Sequence, residues 1–261
     1  DKRARIIAAN NIINAFFMVV GALAAAAMFA GGLSIPMLFA VAAICNAAVA
    51  VFIYGLVPEF LLRFLAWVLI HLFYRLKKRG VEHIPHEGAA LIVCNHVSFV
   101  DPVILMAVSP RPIRFVMDHH IFRTPLISFI FRHTRAIPIA SAREDAAMME
   151  AAFAEVSLAL REGELVGIFP EGRITDTGEI YPFRPGVTRI LERDPVPVIP
   201  LALQGLWGSF FSRKGGPAMS KPFRRGLFAR IAVVGAPPVP PAGATPENLQ
   251  EIVGRLLGDW K

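Results

Sequence analysis

From Ile6 to Pro58 the chain carries no Asp, Glu, Lys, Arg or His. About 20 apolar residues cross a bilayer, so this stretch is long enough to cross twice. Gly31-Gly32, with Ser34 and Pro36 just beyond, interrupts it. The pattern predicts helices over 6–30 and 33–57, a transmembrane hairpin filling residues 1–57. A secretory signal fits poorly, because its apolar core is shorter and ends at a small-residue cleavage site. Asn10, Asn11, Asn14 and Asn46 lie within the two spans. They are expected to hydrogen-bond between the helices; the functional alternative is the polar seam of a transporter. Residues 59–76 are apolar again but contain Arg63 and His71 and run into Lys77-Lys78-Arg79. This pattern predicts an interfacial amphipathic helix over 58–80, with a snorkelling Arg63 and a basic end facing anionic headgroups.

After residue 80 the pattern changes to short apolar runs separated by helical stretches. Residues 81–88 form a polar connector. Runs at 89–94, 113–117, 136–140, 165–169, 196–203 and 228–234 predict buried strands. Helices are expected from Asp101 onward and over 125–133, 143–161, 186–192 and 245–260. Asp101 is expected to act as an N-cap with Pro102 at the first helical position, and Thr245-Pro246 to open the last helix in the same way. The alternation gives an α/β class with a sheet flanked by helices. Residues 81–235 form its main domain. Residues 236–246, rich in proline, are expected to be a linker, so that 236–261 is linker plus C-terminal helix. There is no internal repeat.

Composition sharpens this picture. Hydrophobic residues make up 55% of the 261, charged residues 18%, and mean hydropathy is +0.53. A disordered chain is excluded. Lys2, Arg3 and Arg5 precede the first span, and Arg63, Arg75 and Lys77–Arg79 follow the second. The turn between the spans carries no charge. The positive-inside rule therefore puts both ends in the cytoplasm. The expectation is an integral protein of the inner (cytoplasmic) membrane with its polar domain on the cytoplasmic side. The net charge is +7, and the positive residues cluster beside apolar stretches. A membrane surface is thus the expected partner, and nucleic acid is not. Cys45 and Cys94 make no disulfide framework, and Cys94 reads as a core thiol.

Two constellations carry candidate chemistry. Asn95-His96-Val-Ser-Phe-Val-Asp101 places a His after a buried strand and an Asp at the next helix start. The Asp can accept a hydrogen bond from one imidazole nitrogen, fix the tautomer and leave the other nitrogen as a base. No Ser or Cys nucleophile is needed where that base activates a substrate hydroxyl directly. The bland alternative is a structural His and a capping Asp. Phe169-Pro170-Glu171-Gly172-Arg173 stands at another strand end. Its Gly allows a tight turn, and its Arg offers a planar fork for phosphate. Taken alone, such a turn is an ordinary loop. A metal-dependent hydrolase could draw on His83, His86, His96, His119, His120 and His133. No H-E-x-x-H or paired ligand spacing appears, so no metal is expected. G-x-S-x-G and P-loop motifs are absent. A pure transport or scaffold module would need neither constellation.

Together, N-H-x-x-x-x-D and the later F-P-E-G-R resemble the motifs of the glycerol-phosphate and lysophospholipid acyltransferase family. Residues 114–138 (RFVMDHHIFRTP…RAIP) resemble its second block and residues 196–203 (VPVIPLAL) its fourth, so the resemblance covers about residues 75–235. It implies the acyltransferase fold, a mixed sheet flanked by helices. It also implies movement of a fatty acyl chain from acyl-acyl-carrier protein or acyl-CoA, as co-substrate and without a cofactor, to the free hydroxyl of a lysophospholipid. By resemblance, His96 would be the general base and Asp101 would orient it. Glu171, Gly172 and Arg173 would hold phosphate and glycerol, with Arg114 and Thr175 as further substrate contacts. Asn95 or nearby backbone N–H groups would face the oxyanion, and Pro200 and its strand would line the acyl path.

Three positions depart from the family pattern. Asp118-His119 replaces a basic pair, Arg135 a glycine, and Ala140-Ser141 an Asp-Arg pair. The acceptor headgroup therefore need not be that of lysophosphatidate. ARIIAANNIINAFFMV is similar to a late helix of lysophospholipid transporters of the major facilitator superfamily. Such transporters occur fused to this acyltransferase and an acyl-carrier-protein synthetase. PEGRIT is similar to the acyltransferase part of those fusions, which reacylate lysophosphatidylethanolamine. With no initiator Met and a proline-rich end, the chain is expected to be a piece of such a fusion. Its transporter and acyl-activating domains would then be partners, and 2-acylglycerophosphoethanolamine its acceptor. The alternative acceptor is 1-acylglycerol-3-phosphate.

Overall fold

The computed structural model describes residues 2–56, 58–123, 133–216 and 229–260. The chain divides into two compact units, Asp1–Val57 and Pro58–Lys261. The first is a helical hairpin of α1 (Lys2–Ala30) and α2 (Ile35–Leu56), joined through Gly31 and Gly32. Ala4–Ala30 and Ile35–Leu56 are long and apolar enough to cross a bilayer, and neither is buried within the protein. Ile12, Phe16, Phe39 and Phe52 are all more than 60% exposed. Such a surface suits hydrocarbon rather than water. The Asn46 amide donates to the Ala42 carbonyl of its own helix, not across the hairpin.

The second unit corrects the expectation for 58–80. Helix α3 (Pro58–Phe73) ends early, and β1 (Tyr74–Arg79) is an edge strand paired in parallel with β7 (Ala229–Gly235). Tyr74 is buried while Arg75, Lys77, Lys78 and Arg79 stay exposed. Charged side chains suit a sheet edge because they oppose pairing with another chain. Within α3, Ala66 and Ile70 are buried, while Phe60, Phe64, Trp67 and Leu72 are exposed. Arg63 does not snorkel: its guanidinium donates to the Ser109 carbonyl at 2.6 Å and ties α3 to the end of α4 (Asp101–Val108).

The remaining strands are β2 (Ala90–Cys94), β3 (Ile113–Asp118), β4 (Ile137–Ile139), β5 (Leu165–Ile168) and β6 (Val198–Gln204). The sheet order is β1-β7-β6-β2-β5-β3-β4. Every neighbouring pair is parallel except β6 and β7. The fold is of the α/β class that the alternation predicts, with the mixed sheet that the resemblance implies. Central β2 is buried on both faces, which explains its unbroken apolar run. Ile92 and Cys94 pack into the core shared with α3 and α4. Leu91 and Val93 pack with α5 (Ala146–Arg161), α6 (Gly186–Arg193) and α7 (Pro246–Leu257). Burial raises the pKa of the Cys94 thiol, consistent with a core position.

Residues 236–246 are part of this unit rather than a linker. The few amides that its prolines leave are used. Ala236 donates to the Pro200 carbonyl, and Val239 exchanges two backbone hydrogen bonds with Val198. The Thr245 hydroxyl caps α7 by accepting from the Asn248 amide, and Leu249, Val253 and Leu257 enter the core. The helix expected over 125–133 lies almost wholly outside the described residues.

Candidate active site

β2, β5 and β3 are adjacent parallel strands, so the loops leaving their carboxyl ends open on one edge of the sheet. In α/β sheets that edge is where ligands bind. Val93 of β2 pairs with Ile168 of β5. The His96 loop and the Phe169–Arg173 loop therefore start side by side, although some 70 residues separate them in the chain. β3 and β4 end on the same edge, at Asp118 and Ile139. A cleft of about 630 Å³ lies there, with His96, Phe169, Gly172 and Arg173 in its lining.

His96 is fixed at ring and backbone. Its Nδ1 lies 2.9 Å from Asp101 Oδ2, and its ring stacks on Phe169 with centroids 4.2 Å apart. Its amide donates to Glu171 Oε1 at 2.7 Å, and its carbonyl accepts from the Thr175 amide at 2.9 Å. Asp101 is fully buried. It does not cap α4, whose N-cap is Val100. Its carboxylate instead turns back to accept the amides of Val97 (2.6 Å) and Ser98 (2.8 Å) and the Ser98 hydroxyl. A carboxylate with these donors can only accept from Nδ1–H. The imidazole is thereby held in the tautomer whose Nε2 carries the lone pair.

Glu171 clamps the two loops together. Its Oε1 takes the His96 amide and its Oε2 the Tyr181 amide, each at 2.7 Å. Burial pushes its carboxyl up to about 7. The unfolded carboxyl loses its proton near 4.5, while the folded one keeps it until about 7. Raising the pH through this window therefore favours the unfolded state. We expect stability to fall between pH 5 and 7.5 more steeply in the parent than in Glu171→Gln, read from thermal melts. Equal slopes would contradict this assignment.

Gly172 is in the left-handed region, φ 67°, and a Cβ there would stand 2.8 Å from the guanidinium carbon of Arg184. Glycine thus admits Arg184 to the cleft. Arg173 is exposed, with its guanidinium 3.8 Å over the Tyr181 ring. Arg213, whose guanidinium lies 5.9 Å over the Phe99 ring, joins them in the lining, so the cleft carries three arginines. Nothing in the sequence singles out Arg184 or Arg213, because only the fold brings them to the motif.

Five residues named by resemblance stand outside the cleft lining: Glu171, buried with both oxygens on backbone amides rather than on substrate, and four more. Asn95 is buried, and its amide exchanges two hydrogen bonds with the Leu203 backbone (2.8 and 3.1 Å), stitching β2 to β6. It is not free to meet an oxyanion. Arg114 binds Glu155, Glu164 and the Arg135 carbonyl, outside the lining of this cleft. Thr175 secures its own turn through the Glu179 carbonyl and the Gly178 amide. Pro200 is buried within β6, opposite Val93. The apolar wall of the cleft comes instead from Ile139, Ala152, Phe153, Val156, Ile168 and Ile190. Arg135, at the family's usual glycine, keeps a left-handed φ of 52°. Its carbonyl accepts from Arg114 and its side chain pairs with Glu164 and Glu162.

Residues 75–204 match the family model described as Acyltransferase. The 1-acyl-sn-glycerol-3-phosphate acyltransferase of Bacillus subtilis (strain 168) is 29% identical over 125 residues, covering 48% of this chain and 60% of that protein. A chloroplastic relative from Brassica napus, BAT2, is 27% identical and covered over 42% of its length. The chain thus spans about half the length of such curated relatives. The human 1-acyl-sn-glycerol-3-phosphate acyltransferase alpha is 24% identical over 200 residues, covering 75% of this chain and 67% of that protein. The crystal structure of the 1-acyl-sn-glycerophosphate (LPA) acyltransferase PlsC from Thermotoga maritima shares the fold, with a TM-score of 0.59, 20% identity and 76% of each chain covered. With its motifs on adjacent loops of that fold and its central residues matching that model, the chain belongs to the glycerol-phosphate and lysophospholipid acyltransferase family.

Proposed function

We propose that this chain moves a fatty acyl group from a thioester to the free hydroxyl of a lysophospholipid. The supporting observation is the His96–Asp101 pair at the edge of a cleft with one apolar wall and three guanidinium groups. His96 Nε2 takes the proton of the acceptor hydroxyl as its oxygen attacks the thioester carbonyl. A C–O bond forms, the C–S bond breaks, and the proton passes from His96 to the departing thiolate. Asp101 holds the imidazole and offsets its transient positive charge. Arg173, with Arg184 and Arg213, meets the acceptor's phosphate. The donor is an acyl thioester of acyl-carrier protein or coenzyme A. The apolar hairpin tethers this chemistry to the cytoplasmic face of the inner membrane, with transporter and acyl-activating domains as fused partners.

The acceptor we favour is 2-acylglycerophosphoethanolamine, because Asp118-His119 replaces the family's basic pair and PEGRIT is similar to enzymes of that substrate. Lysophosphatidate is the second reading, favoured by the names of the relatives. A panel of lysolipids, each offered with both donors to the purified chain in detergent micelles, decides between them. We expect kcat/KM for lysophosphatidylethanolamine to exceed that for lysophosphatidate. The reverse order establishes the second reading, and no transfer to any acceptor overturns both. Arg173→Ala is expected to raise the acceptor KM roughly 10–100-fold, the value of one charge-assisted hydrogen bond of about 1.5–3 kcal/mol. An unchanged KM would remove Arg173 from the phosphate site.

A further inference from the structure

We propose that Glu144, His119 and His120 form a site for a borderline divalent cation, zinc above all, on the wall of the cleft. β3 and β4 are parallel neighbours, with Asp118 paired to Ile139. The His119–Arg123 turn after β3 therefore meets the residues that lead from β4 into α5. The Glu144 amide is tied to the Ser141 carbonyl at 3.0 Å, which fixes that second turn. One Glu144 oxygen, Oε1, lies 3.3 Å from His120 Nε2 and 3.6 Å from His119 Nε2. These separations are long for hydrogen bonds, which run about 2.7–3.2 Å. Both lie near the edge of about 3.4 Å of a tetrahedron with metal bonds of about 2.0–2.1 Å, and Asp118, His119 and His120 also offer ligand atoms within 4.8 Å of one another. The two rings lie with centroids 4.0 Å apart.

The far side of the rings supports the same reading. Asp118 Oδ1 accepts from His120 Nδ1 at 2.9 Å and from the His120 amide at 2.8 Å. That bond keeps a proton on Nδ1, so Nε2, which faces Glu144, is the nitrogen left to meet a metal. Carboxylates orient metal-binding imidazoles in this way. His119 has no such orienting bond: its Nδ1 lies 3.8 Å from the same oxygen and is buried without a hydrogen-bond partner, in a side chain only 14% exposed. Two imidazoles and a carboxylate make a three-ligand set suited to zinc. The fourth position stays open to water or to an anionic oxygen. His120 and Glu144 line the cleft, so a bound ion adds positive charge to its wall. None of these residues belongs to the His96–Asp101 pair, and the inference does not depend on the acceptor.

Cobalt(II) titration of the full chain in detergent micelles tests the site, with zinc as competitor. The expected result is the visible absorption of tetrahedral cobalt, abolished by zinc. His120→Ala and Glu144→Gln are each expected to lower zinc affinity at least 100-fold. Asp118→Asn, which only loosens the orienting bond, should cost about 10–100-fold. Metal-free thermal melts check that each variant is folded. Binding no tighter than about 1 mM, or tight binding unchanged in His119→Ala/His120→Ala, overturns the site. The readout is metal binding, so failure here leaves the acyl-transfer reading untouched.

Discussion

His96→Ala is expected to lower acyl transfer by roughly 10²–10⁴-fold, the scale of a lost general base, while leaving the fold intact. The two effects separate because the site is held by backbone as much as by side chain. The residue-96 amide still donates to Glu171, and its carbonyl still accepts from Thr175. Asp101 keeps the amides of Val97 and Ser98 and the Ser98 hydroxyl. What is lost is the ring against Phe169 and its Nε2. Steady-state rates with saturating lysolipid, beside a thermal melt, make the measurement. Near-normal turnover in a folded variant would remove His96 from the chemistry.

The second large effect is at Asp101, and it depends on the replacement. In Asp101→Asn the side-chain oxygen can stay where Oδ2 is and accept the Val97 and Ser98 amides and His96 Nδ1–H. Its new NH₂ can donate to the Ser98 hydroxyl, which is able to accept. The loop then survives, but the negative charge beside the imidazole is gone. We expect turnover to fall about 10²–10⁴-fold with a small change in melting temperature. Asp101→Ala instead leaves two buried amides without an acceptor, at about 1–3 kcal/mol each. That is a large part of the usual margin of about 5–15 kcal/mol. We expect that variant to be poorly folded. An Asp101→Asn protein with parental turnover would mean that the carboxylate acts only as a loop tether.

The sequence shows the site because each motif follows an apolar strand, and neighbouring parallel strands deliver their loops to one edge. For His96, Asp101 and the Phe169–Arg173 turn the strand ends are legible, their roles come from the family resemblance, and their adjacency comes from the pairing of β2 with β5. Elsewhere the deciding partner is remote in sequence. The strand Tyr74–Arg79 carries charge at most positions and has no strand-like alternation; it exists because β7 lies beside it. The prolines of 236–246 hide two amides that bind Pro200 and Val198. Asn95 and Arg114 stand near the motifs as substrate contacts would, yet Leu203, Glu155 and Glu164 occupy them. Arg184 reaches the cleft only because Gly172 leaves room for it. Asp118-His119 reads in the sequence as a loss of basic residues. Its apposition to Glu144 requires the turn between β4 and α5.

In the proposed reaction an acceptor hydroxyl, activated by His96, attacks the thioester directly. The most direct test counts free thiol against new ester. The purified chain is given an acyl thioester with and without lysolipid, thiol is read colorimetrically and diacyl lipid by mass spectrometry. One thiol per diacyl lipid is expected, with no thiol release without lysolipid and both products cut roughly 10²–10⁴-fold in His96→Ala. Thiol release without an acceptor, or ester formation undiminished in His96→Ala, would contradict that reaction.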